Sequence, residues 1–445
     1  MMRVAYYTVE ASTLSWARRL HDEGAAVLVY CPRPASQHVG EGIVPTTRSR
    51  ETWVTWGLRD AQTIWFFDCT GAGKFADQLR ARGLRVVGGG SFMDKLETDR
   101  GFGMNIAQRH GILLPKYREF STVGESLAYM RAHRGNGGFA WKADRFQGSS
   151  ETCVGDDEKV LSFVENAIAG QHGDRMKCLV QDRIDGEALS TGRWWNGHAW
   201  VGPYEGTVEF KGLMNGNVGP ATGCALNTVW FYTDDTPKVA RLLQWETLAQ
   251  TFRAKSAPPG LYDINAIVNE SGAWFLEWTP RLGVDSELTS QRGITSLTLL
   301  LERLSNGGDV ADLFRVDTAY HGLRLSIPPY PNEEAWIVPK SPAIGQAIVG
   351  ADGLWEKLFV MAGVQYADKR LSVADPFGFV GALVTEGRSV ERSFAALEVY
   401  AKTLNVAKLQ YRTDGAKVIP PALAKIAAMG YETSPFLAKK KEHAA

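Results

Sequence analysis

At 445 residues, 44% of them hydrophobic and 22% charged, with a formal net charge of zero, the chain has the make-up of an ordinary globular protein and the length for roughly two to four domains. That balance excludes a global basic field of the kind that collects nucleic acid, and no apolar run approaches the roughly 18 residues of a membrane span. Five scattered cysteines (Cys31, Cys69, Cys153, Cys178, Cys224) lack C-x2-C spacing, which argues against a disulfide framework or a zinc site. With MMRVAYYT read as a strand rather than a signal peptide, the expected setting is reducing and cytoplasmic.

From the N-terminus, strand and helix alternate. Residues 3–8, 25–31, 63–69 and 84–87 read as strands, and 13–24 and 75–82 as helices, the first with Ser12 placed to cap it. This βαβ order predicts a small parallel α/β domain over 1–95, whose ligands sit beyond the carboxyl ends of its strands. Two loops occupy those ends: 7–12, and 68–74 (DCTGAGK). In the second, glycines ahead of a helix free N–H groups to hold an anion beside Lys74. A plain tight turn is the alternative reading, since the spacing of a P-loop is absent.

Residues 96–109 read as one helix and 112–118 as a strand. Thr122 and Glu125 form a capping box for a helix ending near 135. Then FAWKAD (139–144) is a strand carrying one lysine, Lys142, followed by a small polar loop, Gln147, Gly148, Ser149 and Ser150. A lysine leaving a strand beside such a loop suits a triphosphate, the ammonium meeting phosphate oxygens while the loop closes over them. A helix over 158–169 and a strand over 178–181 lead through Asp185 and Gly186 to Glu187 and another strand.

Residues 204–226, rich in glycine, read as a long irregular segment of the kind that is usually functional, with Glu209 and Lys211 at its start. A helix over 238–252 precedes the next strands, and another over 294–303 follows them. Proline-rich stretches at 327–331 and 339–342 mark a boundary, beyond which strands accompany a helix with Val390, Phe394, Leu397, Ala401 and Leu404 on one core-facing stripe. The expected division is 1–95, 96–330 with a lid at about 115–188, 331–430, and a tail over 431–445.

The chemistry centres on residues 260–283, GLYDINAIVNESGAWFLEWTPRLG. An alternating run, a turn at Asn269–Gly272 and a return run predict a β-hairpin. Alternation puts Asp263 and Asn265 on one face of the first strand, and Glu277 and Thr279 on one face of the second. Carboxylates on adjacent strands repel unless a cation lies between them, and hard oxygen ligands suit Mg2+ or Mn2+. Arg281 follows at once, placed to meet phosphate oxygens. A hairpin with one solvated face is the bland alternative. Against it, Glu277 sits in an aromatic run (Trp274, Phe275, Leu276, Trp278) where an unpartnered carboxylate is expensive to bury.

In order and spacing these segments resemble the ATP-grasp ligases, and among them the phosphoribosylamine–glycine ligases, over nearly the whole chain. FAWKAD corresponds to the family's V-V-K-A-D strand, and Gly148, Ser149 and Ser150 to the G-S-S lid of D-alanine–D-alanine ligase. QDRIDGEALS (181–190) corresponds to the adenine hinge E-E-F-L-D-G-E-E-A-S. Residues 209–226 correspond to the glycine-rich substrate loop, matching at Lys211, Gly219, Pro220, Thr222 and Gly223, and FLEWTPRLG to V-I-E-F-N-C-R-F-G. The ending FVGALVTEGRSVERSFAAL…YRTDGAK resembles the family's terminal strand, helix and Y-R-x-D-I-G.

The resemblance implies a multidomain α/β and α+β protein: an ATP-grasp fold with an N-terminal parallel α/β domain and a C-terminal mixed one. It implies an ADP-forming carboxylate–amine ligase of the purine-biosynthesis type, working through an acyl phosphate on small-molecule substrates with ATP and Mg2+ or Mn2+. Implied nucleotide contacts are Arg100, Lys142, Gly148, Ser149, Ser150, Gln181, Asp182, Ile184 and Glu187. The metal falls to Asp263, Glu277 and Thr279, catalysis to Lys211 and Arg281, and substrates to Glu10, Asp68, Glu209, Gly219, Thr222 and Gly223. The chain departs from the family at its N-terminal phosphate loop, where TVEAS (8–12) replaces G-G-R-E-H, and at the hinge, where Ala188 stands for the ribose-binding glutamate. A different amine, such as a modified nucleotide or small metabolite, and a non-catalytic nucleotide-binding descendant therefore stay open.

Overall fold

The structure is a computed structural model that describes residues 1–9, 12–143, 152–169, 176–331, 341–351 and 358–433. Strands β1 (Arg3–Tyr7), β2 (Ala26–Tyr30), β3 (Thr46–Thr47), β4 (Ile64–Phe67) and β5 (Arg85–Val87) form a parallel sheet in the order β3-β2-β1-β4-β5. Helices α1 (Leu14–Asp22), α2 (Arg50–Leu58) and α3 (Gly73–Ala81) cross over between them. Sequence IWFF in β4 is buried on both faces, as a central parallel strand requires. Ile64 and Phe66 join one hydrophobic core while Trp65 and Phe67 join another.

Helices α4 (Ser91–Thr98) and α5 (Arg100–Arg109) lead out of this domain. The single helix expected over 96–109 is two, because Asp99 turns extended and its carboxylate accepts the Phe102 N–H at 2.9 Å, capping α5. Strand β6 (Tyr117–Phe120), helix α6 (Val123–Ala132), β7 (Phe139–Ala143), β8 (Thr152–Gly155), helix α7 (Asp157–Phe163) and β9 (Cys178–Asp182) then build a small antiparallel sheet in the order β6-β9-β7-β8. Thr122 caps α6 through the Glu125 N–H at 3.2 Å.

Among the described residues, the largest sheet has eight strands, ordered β14-β13-β10-β11-β12-β15-β19-β16. They are β10 (Glu187–Trp195), β11 (Trp200–Met214), β12 (Val218–Phe231), β13 (Gly260–Asn269), β14 (Gly272–Thr279), β15 (Ala319–Ser326), β16 (Phe359–Met361) and β19 (Phe379–Glu386); β17 (Val364–Ala367) and β18 (Arg370–Val373) form a separate hairpin. The stretch over 204–226, expected to be irregular, lies in the long β11–β12 hairpin. Gly206 marks close approach rather than looseness: a side chain there would meet the Trp230 ring at 2.6 Å. The prolines near 330 do not end the sheet, since β15 on one side of them pairs with β19 on the other.

Two local expectations are corrected. Ser12 does not cap α1; Thr13 is the capping position, and its hydroxyl donates to buried Asp68. The helix over 238–252 is broken by Gln244 at φ +56°, giving Lys238–Leu242 and Trp245–Ala254. Among the described residues, no helix is long and apolar enough to cross a membrane.

Candidate active site

The β13–β14 register decides the site. Asp263 lies opposite Thr279 and Asn265 opposite Glu277, and a bulge at Asn265/Ala266 lets consecutive Leu276 and Glu277 both leave the core. On the next strand Ser190 lies opposite Asn265 and Gly192 opposite Asp263; beyond it, Thr207 and Glu205 of β11 continue the same two rows. One sheet face therefore carries all of these side chains. Gly192 leaves a gap in its row, its missing Cβ 3.2 Å from an Asp263 oxygen, so Asp263 and Glu205 act on each other.

Over this face opens a cleft with about 580 Å³ of empty space, part of it open to solvent, a size that suits a small-molecule site. Arg100, Lys142, Gln181, Glu277, Thr279 and Arg281 all line it. Lys142 comes from the small antiparallel sheet, Arg100 from the start of α5, and Glu277 from the large sheet. Leu96, Met104, Leu179, Phe275, Leu276 and Trp278 give it apolar walls.

The charges divide sharply. Burial works against the charge of Glu277, but Lys211, Lys142, Arg100 and Arg281 outweigh it and hold the carboxyl below its ordinary range. Asp263 goes the other way: burial, then Glu205, Glu209 and Glu277, push it well above. Lys142 is lowered to about 8, chiefly by burial, with Arg100 and Lys211 repelling and Glu277 attracting. The Lys211 ammonium lies 4.0 Å from Glu277.

No family model matches the chain. The phosphoribosylamine–glycine ligase of Leifsonia xyli is 25% identical over 281 residues, 62% of this chain and 64% of the relative. The chain spans less than two thirds of the length of the curated relatives it matches. The crystal structure of phosphoribosylamine–glycine ligase from Thermotoga maritima superposes with a TM-score of 0.70 at 17% identity, covering 93% of this chain and all of that one. Biotin carboxylase of Campylobacter jejuni, solved as a β-γ-ATP complex, superposes at 0.61 with 12% identity over 97% of each chain. The fold is ATP-grasp.

Around this cleft, the expected residues separate into those that converge and those that do not. Glu187 is on the opposite face of β10 from Ser190, where Lys425 pairs with it at 2.8 Å. Asp182 and Ile184, partly buried at the exit of β9, are not among the lining residues. Thr279 accepts the Asn265 side-chain N–H at 2.9 Å, and Ser190 donates to the Asn265 oxygen at 2.7 Å. Thr222 donates to the Lys211 carbonyl at 2.8 Å, fixing the backbone from which Lys211 projects. Gly219 lies at the exposed tip of the β11–β12 hairpin. Glu10, Gly148, Ser149 and Ser150 lie outside the described residues.

The DCTGAGK loop holds an anion, but an internal one: Asp94 of α4 takes the Gly71 and Gly73 N–H groups at 2.8 Å each. Asp68 is likewise engaged, receiving the Thr13 hydroxyl, which accepts from Tyr6 at 2.7 Å.

The sequence reading missed a second layer. Asp285 and the helix Ser286–Ser290 pack on the same sheet face. There Arg324 forks onto Asp285, one contact at 3.0 Å, both side chains 5% exposed or less. A side chain at Gly223 would meet this Arg324 at 3.4 Å. Glu287, beside Glu205, is raised to about 8 by burial, with Ser290 donating to it at 2.9 Å. Glu209 is also raised, by burial and by Asp285 and Glu277, with Lys211 and Arg324 opposing. A charged residue after R-L-G, as at Asp285, carries no periodic signal; only the sheet order brings Arg324 to it.

The residues present fit a magnesium nucleotide. Three cations face the cleft, and Glu277, held ionised, is a diagonal neighbour of Asp263, which burial first and then the nearby Glu205, Glu209 and Glu277 push up; a dication relieves both. No group of three or more His, Cys, Asp or Glu side chains able to hold a metal occurs among the described residues. Mg2+ suits such a pair, because it is commonly held by one or two carboxylates plus phosphate oxygens.

Proposed function

We propose that the protein is an ADP-forming carboxylate–amine ligase of the phosphoribosylamine–glycine ligase type, acting on small molecules in the cytoplasm. The observation that carries this reading is the convergence of Arg100, Lys142, Gln181, Glu277, Thr279 and Arg281 on one cleft. Leu179, Met104 and Trp278 suit the faces of a base, and the buried Gln181 amide suits its polar edge. Arg100, Lys142 and Arg281 offset the charge of the triphosphate. Glu277, Asp263 and Thr279 are the groups that would hold a divalent cation, which would supply positive charge to offset that of the transferring phosphoryl group.

In the reaction proposed, a substrate carboxylate oxygen attacks the γ-phosphorus and the bond to the ADP oxygen breaks. The amine then attacks the acyl carbon, and inorganic phosphate leaves to give the amide. Glu209, raised above the usual carboxylate range and facing Lys211, is the group suited to take the proton the amine loses. Lys211, on the same sheet as Glu277 and 4.0 Å from it, is the cation placed to steady the carboxylate end.

One observation favours a second reading, a ligase for another amine: the N–H groups of the DCTGAGK loop are already taken by Asp94. Incubation with MgATP, glycine and phosphoribosylamine separates the two. Amide product by mass together with ADP supports the first; ADP formed only with a different amine supports the second. No ADP with any carboxylate and amine pair overturns both.

A further inference from the structure

Glu97 belongs to none of the groups the family resemblance singles out, yet it sits at the junction of the N-terminal domain and the cleft. It lies in the last turn of α4 with its side chain 5% exposed, and it lines the cavity. Its Oε1 accepts from Arg281 through Nε and a terminal nitrogen, both at 2.9 Å. Its Oε2 accepts the Thr70 hydroxyl at 2.8 Å. Thr70 belongs to the DCTGAGK loop, whose next N–H groups bind Asp94, three residues before Glu97 on the same helix. Side chains three apart share a helix face. One face of α4 thus grips the loop through Asp94 and holds both loop and arginine through Glu97. Arg281 also donates to the Leu282 carbonyl at 2.9 Å, a second hold on the plane of the fork.

We propose that Glu97 is a positioning residue for nucleotide binding: it orients Arg281 on the cleft wall and, through Thr70, ties that orientation to the loop at the carboxyl edge of the parallel sheet. An arginine fork recognises phosphate by geometry as much as by charge, so a misdirected Arg281 contributes little. The long-chain cations Arg100 and Lys142 share the cleft, and neither contacts Glu97 among the hydrogen bonds and ion pairs of the described residues. The effect of Glu97 therefore runs through Arg281. This inference rests on the nucleotide reading of the cleft.

The test is a double-mutant cycle on the full chain, with MgADP as the probe and isothermal titration as the readout. Glu97→Gln, which keeps shape and removes charge, is expected to weaken MgADP by about ten-fold or more, the worth of a charge-assisted contact. Thr70→Val is expected to weaken it by about three-fold. In an Arg281→Met background, Glu97→Gln is expected to change the affinity by less than about two-fold, because the group it acts through is gone. A general loss of structure would lower affinity equally in both backgrounds. Multiplying effects of Glu97→Gln and Arg281→Met, or a Glu97→Gln protein that binds MgADP as the wild type does, overturns the proposal. A wild-type chain that binds no MgADP overturns the nucleotide reading, and this inference with it.

Discussion

Lys142→Met separates what the cleft costs from what it does. Lys142 is 8% exposed in β7, and burial, with Arg100 and Lys211 nearby, lowers it from 10.5 to about 8. That fall corresponds to about 3 kcal/mol against the ionised form at pH 7. Methionine matches the length without the charge, so the variant is expected to be more stable than the wild type by up to about 3 kcal/mol in denaturant melts. The sign with pH follows from linkage: a lysine lowered on folding carries its full penalty below about pH 8 and loses it as pH rises toward 10.5. The advantage of the variant is therefore expected to shrink over that window. Affinity moves oppositely, since loss of a charged contact to phosphate is expected to weaken MgATP by at least about ten-fold in titration calorimetry. A Lys142→Met protein that is less stable at pH 7 and binds MgATP normally refutes the reasoning on both counts.

Other expectations follow from the same charge layout. Glu277→Gln is expected to lower Mg-dependent ADP formation by more than about 100-fold; unchanged ADP release removes Glu277 from the metal. Glu287, protonated in the folded chain up to about pH 8 but ionised in the unfolded chain from its ordinary 4.5, makes folding take up a proton between those values. Its share of stability is thus full below 4.5 and declines toward pH 8 by up to about 1.4 kcal/mol per pH unit, and Glu287→Gln is expected to flatten that slope in melts from pH 5 to 8. Asp285→Ala strands buried Arg324 between the Tyr330 and Phe379 rings, 5.0 and 4.6 Å from its guanidinium carbon. The expected loss is about 3–5 kcal/mol, largely recovered in denaturant melts by pairing Asp285→Leu with Arg324→Met.

What the sequence disclosed was what alternation and local chemistry encode. The 260–283 hairpin reads directly because its turn residues and period-two pattern are local, and Asp263 does meet Thr279 across it. The bulge that turns Leu276 and Glu277 out together is invisible to a strict period of two. The β11–β12 hairpin was hidden by its glycines, which disfavour strands in isolation; the reason for Gly206 appears only in the fold, where Trp230 crowds it. Anion-holding N–H groups in DCTGAGK were legible; that Asp94, 21 residues beyond Gly73, fills them was not. Glu97 was lost inside a stretch read as one continuous helix, where a lone glutamate looks like a solvated face. Lys142 and Arg281, singled out from their own segments, both line the cleft, while Glu187, aligned by the resemblance only by adjacency, pairs with Lys425 on the other face of its strand.

We propose that a nucleotide is held between the small antiparallel sheet and the large sheet, by Lys142 on one side and a cation on Glu277 on the other. A crystal structure with ADP and Mn2+, the ion located by its anomalous scattering, tests it directly. The expected result is Mn2+ bound to Glu277 and to phosphate oxygens, with Lys142 and Arg281 contacting those same phosphates. Nucleotide bound elsewhere, or Mn2+ with no contact to Glu277, contradicts it.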